Sequence, residues 1–93
     1  MLERRLSDSS QRLKRLRSDL AVADEQLAAL ADTVEETRLR ALVSETTGAK
    51  REFRQAQRHA DAMARHRTEL IEAIANIQRI QDQLLDQMTA DPG

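Results

Sequence analysis

The chain has 93 residues, 15 basic against 16 acidic side chains, one Phe, and no Cys, Trp or Tyr. Lacking Cys, it has no disulfides, no thiolate chemistry and no Cys-ligated zinc, and lacking aromatics it offers few platforms for stacking bases. A net charge of -1 gives it no overall pull toward polyanions.

The opening Met1-Leu2-Glu3-Arg4-Arg5-Leu6 is charged, and nowhere is there an apolar run of the length a signal peptide or a membrane span needs, so a cytoplasmic protein is expected. From Leu2 a stripe follows at alternating spacings of four and three: Leu2, Leu6, Ser9, Leu13, Leu16, Leu20, Ala23, Leu27, Leu30, Val34, Thr37 and Ala41. This heptad spacing predicts one helix over about residues 2–44 with a single apolar seam. Ser44-Glu45-Thr46-Thr47-Gly48 interrupts it, placing a turn at about 44–48, with Thr46 or Thr47 as the cap of a second helix.

The second stripe keeps the same spacing: Ala49, Phe53, Ala56, Ala60, Met63, Arg67, Leu70, Ile74, Ile77, Gln81, Leu84 and Met88. It predicts a helix over about 47–89 and a disordered tail over 90–93, which holds the only Pro. So short a connection makes the helices antiparallel. The expected fold is therefore all-α, a single antiparallel coiled-coil hairpin shaped as a rod. One seam is a thin core: ordering costs about 1.5 kcal/mol per residue, while each buried aliphatic side chain returns about 1.5–3 kcal/mol. A protein partner or self-association is expected to supply the rest, dimerisation into a four-helix bundle being one form of it.

Antiparallel layers pair residues whose numbers add to a constant, and the two stripes permit 90 or 97. The value 90 pairs Leu2 with Met88, Leu13 with Ile77, Leu16 with Ile74, Leu20 with Leu70 and Ser9 with Gln81, and it sets Arg67 opposite the small Ala23. The value 97 places Gln81 against Leu16 and Arg67 against Leu30; unpaired polar groups in a seam cost about 1–3 kcal/mol each, which favours 90. Charge blocks agree with the hairpin. Residues 18–36 carry six acidic and no basic side chains, and folding back lays them near Arg54, Arg58, Arg65 and Arg67.

Six apolar residues fall outside the seam and are candidates for partner binding: Leu39, Leu42 and Val43 beside the turn, and Ile71, Ile80 and Leu85 at the open end. Arg12 and Arg17 are placed to cover Ile80 and Ile71 with their methylene stems, whereas nothing is placed to cover the first three. Catalytic chemistry is not expected. His59 and His66 are seven residues apart, about 10 Å along a helix, so one metal ion cannot bridge them without outside ligands. There is no Gly-rich phosphate loop and no nucleophile beside a base, and no cofactor is expected. Arg4, Arg5, Arg12, Lys14, Arg15 and Arg17 form a basic end, but the slightly acidic total does not favour nucleic acid, and the apolar stripe is already claimed by the partner helix rather than by a membrane.

The stretch Arg38-Leu39-Arg40-Ala41-Leu42-Val43-Ser44-Glu45-Thr46, with Gln57-Arg58-His59-Ala60-Asp61-Ala62-Met63-Ala64-Arg65-His66-Arg67, resembles a small uncharacterised actinobacterial coiled-coil hairpin family, which implies the fold and no activity. Glu72, Asn76, Arg79, Gln83 and Gln87 are similar in spacing to the Glu, Ser, Arg, Gln and Asp motif of helical-hairpin anti-sigma factors that bind cyclic di-GMP. That resemblance implies a regulator that sequesters a sigma factor or contacts RNA polymerase, with a nucleotide held by Glu72, Asn76, Arg79 and Gln83. The size and layout also resemble the small helical hairpins of type VII secretion, with Thr46-Thr47-Gly48 standing where that family has Trp-Xaa-Gly. From the residues themselves, the expected function is a non-enzymatic interaction module, an adaptor or structural part.

Overall fold

A computed structural model describes residues 1–90 as two helices, α1 over Leu2–Ser44 and α2 over Thr47–Ala90, which pack against each other as an antiparallel hairpin. Both are built mainly from Ala, Leu, Arg, Gln and Glu, residues that lose little side-chain freedom in a helix. No Pro lies within either, and Glu3 complements the positive end of the α1 dipole. Among the described residues no helix is long and apolar enough to cross a membrane.

The connection is shorter than expected. Only Glu45 and Thr46 lie outside the helices, so Gly48 is helical and not part of the turn. Glu45 takes the left-handed conformation at φ 53°, and its amide donates to the Ala41 carbonyl at 3.1 Å, closing α1 with a left-handed cap. Thr46 opens α2. Its Oγ1 accepts from the Ala49 amide at 3.1 Å and its carbonyl accepts from the Lys50 amide at 3.1 Å, the geometry of an N-cap. Thr46→Ala should therefore cost about 1–2 kcal/mol in thermal or denaturant unfolding. An unchanged melting curve would mean that the cap contributes nothing. At the other end Ala90 is still helical, and the rest of the expected tail, 91–93, lies outside the described residues.

The chain divides into two compact units. One joins Met1–Leu20 to α2 from Glu69 onward, and the other is Ala21–Thr68. In the first, Leu13, Leu70, Ile77 and Leu84 are buried, Leu6, Leu16, Leu20 and Ile74 are half-buried, and the polar Ser9 is buried with them. In the second, the buried positions are small: Ala23, Thr37, Ala49, Ala56 and Ala60, flanked by half-buried Leu27, Leu30, Val34, Phe53 and Met63. Along α1, every residue that is not exposed belongs to the alternating stripe, and every stripe residue is at least half-buried. The α2 stripe holds except at Met88, which is 40% exposed and lines a shallow groove with Met1, Leu2 and Glu3.

Cross-helix contacts fix the register in each unit. Gln81 Nε2 donates to Ser10 Oγ at 3.2 Å in the first, and in the second Arg67 Nε pairs with Asp24 while Arg40 pairs with Glu52 at 3.1 Å. The residue numbers of these pairs add to 91, 91 and 92, as flanking positions do around layers that add to 90, and the alternative near 97 is excluded. Within the Ser9–Gln81 layer the hydrogen bonds run elsewhere. Ser9 Oγ turns back to the Leu6 carbonyl at 2.8 Å, a bond within its own helix that frees Gln81 to reach the more exposed Ser10. Thr37 does likewise, donating to the Thr33 and Val34 carbonyls, so both buried hydroxyls are satisfied without crossing the seam.

Candidate functional site

The two caps fix where α1 stops, and its last two turns therefore hold their side chains in place. Leu39, Leu42 and Val43 are 49%, 62% and 85% exposed. Their spacing of three and four puts them on one side of α1, away from buried Thr37 and half-buried Ala41. Two ion pairs frame the patch. Arg38 reaches Glu35 through Nε at 3.0 Å and Nη2 at 2.6 Å, and Arg40 reaches Glu52 across the hairpin. The hydrogen bond from Arg38 holds the Glu35 carboxyl below the ordinary glutamate range, and the same pair raises Arg38. A lowered carboxyl favours the folded form above the ordinary glutamate pKa, and that contribution is lost as acid protonates Glu35. Since both partners are exposed, the frame orients the patch more than it stabilises the fold.

The remaining expected partner residues are dispersed. Ile71 and Leu85 are 40% and 50% exposed, while Ile80 is half-buried and shares a groove of about 250 Å³ with Arg5, Asp8, Ser9, Arg12, Ile77 and Leu84. Val22, 49% exposed, was not singled out in the sequence: a lone Val between charged and small residues interrupts no pattern. Glu72, Asn76, Arg79, Gln83 and Gln87 form an exposed row on α2, where Arg79 Nη2 donates to Asn76 Oδ1 at 3.3 Å.

Of the four arginines expected to meet the acidic stretch of α1, Arg67 does so from its half-buried seam position, pairing with Asp24. Among the described residues Arg54, Arg58 and Arg65 form no ion pair. His59 lies in a groove of about 290 Å³ with Thr33, Thr37, Arg40, Glu52, Gln55 and Ala56, and His66 is exposed a further seven residues on. Among the described residues no group of three or more His, Asp or Glu gathers in metal-binding geometry. The chain matches no family model, no curated protein and no solved structure.

Proposed function

We propose that this chain is a non-enzymatic protein–protein interaction module of the cytoplasm, a coiled-coil adaptor or structural part that docks through the end of α1. The observation that carries the reading is the contiguous exposure of Leu39, Leu42 and Val43 beside a doubly capped turn, since apolar residues without local cover at a rigid position favour a partner. The accessible surface is in keeping with it. The chain leaves 7000 Å² accessible, whereas a compact monomer of this mass leaves about 5500 Å², a surplus well above the roughly 800 Å² that one partner buries in an ordinary interface.

The test is affinity capture from native cytosol with mass spectrometry, using the natural chain and a Leu39→Ser, Leu42→Ser variant. The variant should lose the captured partner while keeping its helicity and unfolding within about 0.5 kcal/mol of the natural chain, as exposed positions do. If it instead melts early, these residues belong to the core and the docking reading fails.

The second reading, a regulator of anti-sigma or RNA-polymerase-binding type under a cyclic dinucleotide, draws on the exposed row of Glu72, Asn76, Arg79 and Gln83. Recovery of a sigma factor in the same capture, enhanced by the dinucleotide and lost on Arg79→Ala, would support it over the adaptor reading.

A further inference from the structure

Within Ala21–Thr68 the two helices carry opposite charge on their outer sides. On α1, Glu25, Asp32 and Glu36 are exposed, and on α2, Arg51, Arg54, Arg58 and Arg65 are exposed. Among the described residues none of these seven forms an ion pair, so each charge is available. Glu25 and Asp32 follow buried Ala23 and half-buried Leu30 by two residues, and Arg58 follows buried Ala56 by two. Two residues are a turn of about 200°, so these side chains point away from the partner helix, and the two charged sides face in opposite directions.

The register places these sides at matching heights. Layers that add to 90 set Glu25 level with Arg65, Asp32 level with Arg58, Glu36 level with Arg54, and Leu39 level with Arg51. The lone acid on that side of α2, Asp61, is held by Gln57 Nε2 at 3.0 Å and lies level with neutral Ala29. Leu42 lies level with Gly48, where an added Cβ would meet nothing within 4 Å. Gly48 is thus a bare spot, backed by Thr47, at the height of the exposed leucine.

We propose that the outer side of α1 docks on the outer side of α2 of a second copy, set beside the first in the same orientation. Three carboxylates then meet three guanidiniums level by level, and Leu42 with Val43 seats on the start of the second copy's α2 at Gly48 and Thr47. The Leu39 side chain lies along the Arg51 stem. A net charge of -1 leaves little whole-molecule repulsion to oppose the pairing. The contact joins two different surfaces, so a docked pair keeps one unused side of each kind, and growth continues until a partner or a ring closes it. This inference rests on the interaction-module reading and names its partner.

The test uses the full chain and light scattering. The natural chain should exceed 10.6 kDa in dilute buffer, and about 1 M salt, which shortens electrostatic reach to about 3 Å, should return it to the mass of a single chain. A variant with Asp32→Arg and Glu36→Arg, and another with Arg54→Glu and Arg58→Glu, should each stay single. Mixed in equal amounts they should assemble again, because the natural acidic side of one variant meets the natural basic side of the other, and the two reversed sides are complementary level by level as well. Gly48→Arg, which adds a side chain into open space, should weaken assembly without lowering the melting temperature. Assembly of either charge variant alone, a mixture that stays single, or a natural chain that stays single in dilute buffer would each overturn the proposal. A chain that binds another protein through Leu39 and Leu42 yet never pairs with itself sinks this inference alone, while loss of both sinks the module reading as well.

Discussion

Ile77→Ala should lower the unfolding free energy by about 2–5 kcal/mol, a large share of what one seam supplies. Ile77 is 2% exposed, and its expected layer partner Leu13 is buried with it, so the lost methyl and ethyl groups leave a void that a two-helix seam can collapse into only partly. Its measure is urea unfolding followed by circular dichroism, and a loss below about 1 kcal/mol would show that the layer repacks or was never tight. Truncating the exposed Leu85 is the control, with a change of about 0.5 kcal/mol or less.

A disulfide between cysteines placed at Leu16 and Ile74 should raise stability by about 2–4 kcal/mol and form readily in air. Both positions are half-buried in the same unit and belong to layers that add to 90, and the crosslink would close a long loop of the unfolded chain. Cysteines at Leu16 and Gln81 lie a whole heptad, two layers, out of register and should remain reduced. Non-reducing electrophoresis and melting temperatures read both variants. Ready oxidation of the Leu16 and Gln81 pair would overturn the register.

The fold was legible because it rests on one rule, the alternation of four and three, and because the break at residues 44–48 is the one place where the rule stops. Polar stripe members did not mislead it: Ser9 and Thr37 are buried since a hydroxyl can bond to its own helix, and Arg67 sits half-buried because Asp24 is within reach of its guanidinium. Sequence could not tell that Ser10 would take Gln81 in place of Ser9, because a bond within the helix and a bond across the seam differ little in energy. It left Gly48 both in the turn of 44–48 and in the helix over 47–89. A glycine after two threonines reads as a turn residue, and only the cap made by Thr46 settles where α2 begins. The exposure of Leu39, Leu42 and Val43 was legible as departure from the stripe, whereas Met88 obeys the stripe and is exposed all the same.

The small side chains buried in Ala21–Thr68 have a dynamic consequence. Ala23, Ala49, Ala56 and Ala60 withdraw far less apolar area from water than Leu13, Leu70, Ile77 and Leu84 do in the other unit, so transient opening of the backbone is less costly in these alanine layers than in those of Leu13, Leu70, Ile77 and Leu84. Amide hydrogens there should exchange sooner even though both helix termini are capped. A partner seated on Leu39, Leu42 and Val43 would slow that exchange in the layers beneath it, so occupancy of the surface would register as rigidity of the alanine seam.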